Sequence, residues 1–157
     1  MTDTSDDATR PYVLEIPLRW SDMDAYGHVN NAKFVTLLEE ARVIALHEWF
    51  GDSGLLEGGI VVSSQTLDYT AQLSYRAEPV AVVVWCSHLG ASSFTIAYEV
   101  RDPARVGDTS YCLAETTLVR FDAKAGHSRR LSETERAVFE RHLGEPPALY
   151  SRRKQGR

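Results

Sequence analysis

The sequence has 157 residues, a length typical of one domain with a core of its own. Its net charge of −5 argues against nucleic-acid binding, because proteins that bind nucleic acid usually present a basic surface. No apolar run approaches the ~18 residues of a membrane-spanning helix, and residues 1–10 are too acidic for a signal or transit peptide. Cys86 and Cys112 lie in apolar stretches and are expected to be buried, reduced thiols. These features indicate a cytoplasmic protein without a membrane partner.

The N-terminal part predicts a disordered segment, a strand and a loop. Residues 1–10 carry three acids and no apolar period, so they are expected to be disordered. The stretch YVLEIPLRW (12–20) alternates apolar and polar residues as a strand does, and Pro17 indicates that this strand runs along a sheet edge or starts late. The polar residues 21–30 then follow as a loop.

A long helix is predicted from Ala32 to Phe50, because apolar residues recur there every three or four positions. The apolar stripe consists of Phe34, Leu37, Leu38, Ala41, Ile44, Ala45 and Trp49. Asn30 or Asn31 can supply the N-cap, and Gly51 is a natural helix end. Further apolar residues beside the stripe widen the apolar arc, which indicates a helix surrounded by a curved sheet.

The next part of the chain is predicted to form strands, because four segments are rich in β-branched and aromatic residues. They are 60–72, 78–89, 93–102 and 110–122. The short break HLGASSF between the second and third segments predicts an antiparallel hairpin. A helix followed by grouped strands predicts an α+β fold, with an antiparallel sheet of about five strands curled around the helix.

The segment LSETERAVFERHLG is predicted to form a short C-terminal helix. Ser132 and Glu135 have the spacing of a capping box, and Gly144 is expected to end the helix. The basic residues that follow predict a flexible, solvated tail over 145–157. We therefore predict one domain over residues 11–144.

The stretch SDMDAYGHVNNAKFVTLLEEAR, which joins the loop to the helix, resembles the hotdog-fold acyl-CoA thioesterases. Its motif is an aspartate, then HVNN four residues later, then LEEAR on the helix. The most similar branch is the 4-hydroxybenzoyl-CoA thioesterase-like one, and the HVNN segment also resembles plant acyl-ACP thioesterases. The resemblance covers about residues 12–122. It implies hydrolysis of an acyl-CoA or acyl-carrier thioester, without a cofactor or metal, by homodimers or homotetramers with active sites between subunits.

The resemblance also implies roles for three residues in catalysis. It places the catalytic carboxylate on Asp24 and the backbone N–H that polarises the thioester carbonyl on Asn31. It matches the acidic helix residue of the family to Glu39, for which an ion pair with Arg42 is the structural alternative. A turn or capping role is the alternative for Asp24, and it is the role expected for Asp22.

Three further residues of the loop are implied to act at the site. Gly27 matches the glycine of the family's loop, and Tyr26 stands beside it, where the plant pattern has asparagine. Both are expected to contact substrate. His28 agrees with the plant pattern, in which the histidine is important for activity, and departs from the other branch, which has an aliphatic residue. His28 is therefore expected either to take part in catalysis or to have a structural role in holding the loop.

The chemistry of these groups suits thioester hydrolysis. A CoA thiolate leaves readily, since the reference pKa of a thiol is about 8.5. A carboxylate can attack the carbonyl to form an anhydride, or it can deprotonate a water molecule. The free N–H groups at a helix N-terminus can stabilise the oxyanion.

Other sequence signals are weaker. The remaining histidines lack metal-ligand spacing, so no metal site is predicted. Tyr69 is expected in the core. Candidates for contact with CoA phosphates are Arg76, Arg101, Arg129 and Arg130. The alternative function is a binding module that holds acyl-CoA or an acyl carrier without turnover.

Overall fold

The structure is a computed structural model that describes residues 11–51 and 58–155. The expected disorder of residues 1–10 therefore lies outside the described residues. Among the described residues, no helix is long and apolar enough to cross a membrane.

One curved, open antiparallel sheet forms the body of the molecule. Its strands are β1 (Tyr12–Ile16), β2 (Ile60–Tyr69), β3 (Val80–Leu89), β4 (Ser93–Arg101), β5 (Ser110–Asp122) and the short β6 (His127–Ser128). The order across the sheet is β1-β3-β4-β5-β2, and β6 pairs with β5. The five long strands confirm the predicted segments, although four of the strand ends lie one to four residues inside the predicted ends.

The long helix α1 (Asn31–Phe50) packs on one face of this sheet. Successive residues of a strand point to opposite faces, so alternate residues of each strand reach the helix. On β3 these are Val80, Val82 and Val84, all of which are fully buried in the core cluster. The predicted α+β fold, with a sheet around one long helix, is confirmed.

The buried face of α1 departs from the predicted stripe most clearly at Ile44 and Arg42. Ile44 is 40% exposed, whereas Arg42 is only 5% exposed. Arg42 donates a hydrogen bond of 3.1 Å from its guanidinium to the hydroxyl of Tyr98, which satisfies its polar end inside the fold. A long basic side chain can therefore replace an apolar residue here, because its stem packs and its head is bonded.

The C-terminal helix α2 (Glu133–Glu140) begins with the predicted capping box of Ser132 and Glu135. It ends at Glu140 rather than at Gly144. Gly144 instead donates its N–H to the carbonyl of Cys86 at 2.8 Å. A Cβ atom at this position would lie 2.8 Å from Trp85, so the glycine permits the close approach of this segment to β3.

A third helix, α3 (Tyr150–Gln155), forms where the sequence predicts a flexible tail. Leu149, just before it, is 2% exposed. Arg152 donates to the carboxylate of Glu115 on β5 at 2.7 Å. Because Glu115 is distant in sequence and itself nearly buried, local composition gives no sign of this partner.

Both cysteines are buried and free, as predicted. Burial raises the pKa of Cys86 and of Cys112 to about 12, so both thiols stay protonated and unreactive.

Candidate active site

The loop before α1 is anchored by Asp22, which is fully buried. Its carboxylate accepts hydrogen bonds from the backbone N–H of Arg19 at 3.0 Å and from the Arg19 guanidinium at 2.9 Å. Burial opposes ionisation of Asp22, but the bonds from Arg19 outweigh it and lower its pKa. The carbonyl of Asp22 also accepts the N–H of Asn30 at 2.8 Å. Asp22 therefore ties the loop to the start of the helix, which is the structural role expected for it.

Asp24 lies at the start of a tight turn that closes on its own carboxylate. Its Oδ1 atom accepts the backbone N–H of Tyr26 at 2.8 Å and that of His28 at 3.1 Å. Gly27 completes the turn with φ +78°, a left-handed conformation that glycine adopts without strain. Within the described residues, the Oδ2 atom of Asp24 has no hydrogen-bond partner. One carboxylate oxygen is thus fixed, and the other is available for chemistry.

In the first turn of α1, beside this loop, one backbone N–H lacks a hydrogen-bond acceptor within the described residues. Asn30 is the N-cap, and its Oδ1 atom accepts the N–H of Ala32 at 2.9 Å. The carbonyl of Asn30 accepts the N–H of Lys33 at 2.8 Å. In the part of the chain that the structure describes, the N–H of Asn31 has no acceptor. This free donor at the positive end of the helix dipole can stabilise a negative oxygen.

The residues that carry these two groups, Asp24 and Asn31, line one pocket of about 490 Å³. The loop and helix contribute Asp24, Tyr26, His28, Val29, Asn31 and Phe34, and the end of β2 with the following loop contributes residues 69–73. The volume lies within the range of pockets that bind small molecules. The residues that carry the available carboxylate oxygen and the free N–H donor thus lie on the walls of the same pocket.

The far wall of the pocket is bonded directly to the helix start. The Tyr69 hydroxyl donates to the carbonyl of Asn31 at 3.0 Å. The Tyr69 ring meets Phe34 edge to face, with ring centroids 5.4 Å apart. The N–H of Val29 donates to the carbonyl of Leu73 at 2.7 Å. The end of β2 therefore fixes the position of Asn31.

The loop after β2 is held in place by an ion pair between the partly buried Arg76 and the buried Asp102. Arg76 contacts the carboxylate of Asp102 at 2.7 Å, and the Tyr111 hydroxyl donates to the same carboxylate at 2.8 Å. Burial opposes ionisation of Asp102, but the bonds from Tyr111 and Arg76 outweigh it and lower its pKa. Arg76 thus anchors this loop rather than facing a phosphate, and Arg129 is likewise bonded to Glu135.

The structure brings most of the predicted site residues together. Asp24, Tyr26, His28 and Asn31 line the pocket, and Gly27 shapes the turn between them. Glu39 is exposed on α1, about two turns from Asn31, and is not among the lining residues.

Sequence reasoning missed the second wall of the site. Tyr69 is 45% exposed and lines the pocket, whereas the sequence predicts it in the core. Residues 70–73 also line the pocket, although the sequence predicts 70–72 as the end of a strand and Leu73 as the first residue of the break after it. These residues lie 45 to 49 positions from Asp24, and no local motif marks them. No group of three His, Cys, Asp or Glu side chains that could hold a metal ion occurs within the described ranges.

Solved structures with the same architecture place this molecule in the hotdog fold. The similar chains include a predicted thioesterase from Bacillus stearothermophilus, with 21% identity and a TM-score of 0.77, which covers 87% of this chain and 99% of that one. A thioesterase from Thermus thermophilus, complexed with coenzyme A and Zn, has 28% identity and a TM-score of 0.71 over 86% of this chain and 96% of that one. The PA2801 protein of Pseudomonas aeruginosa, a candidate thioesterase, has 31% identity and a TM-score of 0.67 over 80% of this chain and 95% of that one.

The family of this protein is shown by a family model that matches most of the chain. The family model of the thioesterase-like superfamily matches residues 18–146, so the chain belongs to that superfamily. Comparison with curated proteins yields no match.

Proposed function

We propose that the protein is an acyl-CoA thioesterase, which hydrolyses a thioester to a free acid and CoA. The observation that supports this most is the pairing of Asp24 and the free Asn31 N–H on the walls of one pocket. Membership of the thioesterase-like superfamily supports the reaction class. The Thermus thermophilus thioesterase, which is complexed with coenzyme A, supports CoA as the thiol carrier.

In the proposed reaction, the acyl carbonyl oxygen accepts the N–H of Asn31 at the start of α1. The positive end of the helix dipole then stabilises the oxygen as it becomes negative. Two routes use the free oxygen of Asp24. It attacks the carbonyl carbon, expels the CoA thiolate and forms a mixed anhydride that water cleaves, or it removes a proton from a water molecule that attacks instead.

The contacts of the remaining loop residues define the roles that we propose for them. Gly27 allows the turn that aims Asp24, and the exposed ring of Tyr26 forms one side of the pocket mouth. His28 holds Asp24 through its backbone and is itself one of the residues that line the pocket. Because Glu39 does not line this pocket, we assign it a role only in an assembly where α1 of one subunit reaches the pocket of its partner.

We also propose that the protein assembles as a homodimer or homotetramer. The edge strand β2 has ten residues, and most of its side chains are exposed, including Val61 and Val62. A long, exposed edge strand presents unpaired backbone groups that a second chain can pair with. The two buried free thiols suit the reducing cytoplasm, where we place the enzyme.

The proposed activity is tested by release of free thiol from a panel of short-chain, long-chain and aromatic acyl-CoAs. We expect turnover well above the uncatalysed rate for at least one member of the panel. The outcome that would contradict the proposal is binding of acyl-CoA with no thiol release for any member, because that result defines a binding module.

A further inference from the structure

A second pocket, of about 370 Å³, lies directly beside the candidate active site. Tyr69 and Thr70, at the end of β2, line both pockets. On its other side the second pocket is closed by Tyr150 and Arg153 of α3. A ligand that is too long for the first pocket can therefore continue over the end of β2 into the second.

The helix that carries Arg153 is fixed on the sheet rather than loosely attached. Leu149 is buried just before it, and Arg152 donates to the carboxylate of Glu115 at 2.7 Å. Ser87 donates to the other oxygen of the same carboxylate at 2.6 Å. The backbone N–H of Tyr150 is bonded to the carboxylate of Asp68 on β2. These contacts anchor α3 next to the second pocket.

Arg153 gives this pocket a positive charge that the fold does not use. Its Nε atom donates to the carbonyl of Ala148 at 3.0 Å. Its two terminal nitrogens have no hydrogen-bond partner within the described residues. Asp68 is the one carboxylate among the described lining residues, and its charge already interacts with the Tyr150 N–H. A planar guanidinium with two free ends suits a phosphate group, which it can bind in a bidentate manner.

The distribution of charge along the chain also favours a phosphate ligand for this pocket. The whole chain carries a net charge of −5, but residues 150–157 contain Arg152, Arg153, Lys154 and Arg157 and no acid. An acidic protein that binds a polyanion needs a local basic surface, because the overall potential otherwise repels the ligand.

We propose that the second pocket binds the phosphate groups at the nucleotide end of CoA, with Arg153 as the phosphate contact. In this arrangement the pantetheine arm crosses Tyr69 and Thr70 and delivers the thioester to Asp24. The proposal rests on the proposed function and adds to it the residues that recognise the carrier half of the substrate. It also assigns a role in substrate binding to α3, which the sequence predicts to be part of a flexible, solvated tail.

The test compares one acyl group carried on CoA with the same acyl group carried on pantetheine, which lacks the nucleotide and its phosphates. The variants are Arg153→Ala, Arg153→Lys and the control Arg141→Ala, an exposed arginine just after α2 that lines neither pocket. We expect Arg153→Ala to raise KM for acyl-CoA about 5- to 10-fold, the loss of a partly exposed charged contact. The preference for acyl-CoA over acyl-pantetheine should fall by the same factor. The KM of Arg153→Lys should rise less than that of Arg153→Ala, and Arg141→Ala should match the wild type.

Two results would contradict the role of Arg153 without contradicting the proposed thioesterase activity. One is an equal KM for acyl-CoA in the wild type and Arg153→Ala. The other is a KM increase that appears only with acyl-carrier protein, which would make α3 a docking site for an acidic protein. If the wild type hydrolyses no thioester, the phosphate site is tested instead by measuring the binding of CoA itself by calorimetry. A Kd weakened about 5- to 10-fold by Arg153→Ala supports the site, and an unchanged Kd excludes it.

Discussion

Asp24 and His28 are bonded to each other through both backbone polar groups of His28. The N–H of Asp24 donates to the carbonyl of His28 at 2.8 Å, and the N–H of His28 donates to Oδ1 of Asp24 at 3.1 Å. Neither bond uses the imidazole ring. The geometry of the Asp24 carboxylate is therefore independent of the His28 side chain, which makes the two possible roles of His28 separable by mutation.

The variant His28→Ala tests the role of the imidazole. It keeps both backbone bonds to Asp24, so we expect an unchanged fold and a loss of kcat below about tenfold. A general acid or base usually contributes about 10²- to 10⁴-fold, so a loss in that range would assign proton transfer to His28. The measurement is steady-state hydrolysis of the best thioester, with circular dichroism as the control for folding.

Asn30 offers a test of the helix start that carries the proposed oxyanion donor. The variant Asn30→Ala removes the acceptor of the Ala32 N–H, so we expect a loss of about 0.5–2 kcal/mol in the free energy of unfolding. Asn30→Asp retains a cap oxygen and should stay close to the wild type. Urea unfolding measures both variants. Equal destabilisation by Ala and Asp would contradict the capping role.

Glu135 joins α2 to the sheet through a cluster of cations. Its carboxylate contacts Arg120 and Arg129, each at 2.7 Å, and accepts the N–H of Ser132 at 2.8 Å. Burial opposes ionisation of Glu135, but the bonds from Arg129, Ser132 and Arg120 outweigh it and lower its pKa from 4.5 to about 2.

This lowered pKa predicts a loss of stability in acid. Because the unfolded state binds the proton more tightly, the contribution of Glu135 is fully present above about pH 5 and is lost as pH falls towards 2. We expect Glu135→Gln to remove about 2–3 kcal/mol at pH 7 and to flatten the pH dependence between 5 and 3. The exposed neighbour Glu133→Gln is the control. A wild-type pH slope in Glu135→Gln would show that other carboxylates are responsible.

The proposed assembly predicts that the edge of β2 is covered in solution. Val62 is 48% exposed on this strand, and Val13, also 48% exposed, lies on the opposite edge strand β1. We expect light scattering to give a dimer or tetramer for the wild type, and Val62→Lys to shift it towards the monomer with lower kcat/KM. Val13→Lys should remain assembled. A wild-type monomer with full activity would contradict an active site that needs a second subunit.

The sequence predicts those parts of this fold whose signals are local. The Asn30 cap, the end of α1 at Gly51 and the Ser132–Glu135 capping box each depend on residues within one or two turns. Strand composition was sufficient to place the five long strands. The family resemblance implied that Asp24 and Asn31 act at one site, and both line one pocket because only seven positions and a helix start separate them.

The features that sequence reasoning missed all depend on distant partners. Arg42 is buried because Tyr98 lies opposite it, and the tail is helical because Glu115 holds Arg152. Tyr69 lines the pocket because it bonds to Asn31 across the fold. Hydrophobic periodicity cannot detect such contacts, since each joins residues that are more than 30 positions apart.

The most direct measurement is thioester hydrolysis by Asp24→Asn. The amide keeps an oxygen that can accept the Tyr26 and His28 N–H groups, so the turn should survive and the melting temperature should stay near that of the wild type. Asp108→Asn, an exposed and distant aspartate, is the control. We predict that kcat falls about 10²- to 10⁴-fold in Asp24→Asn and is unchanged in Asp108→Asn. Wild-type turnover by a folded Asp24→Asn protein would contradict the proposed mechanism.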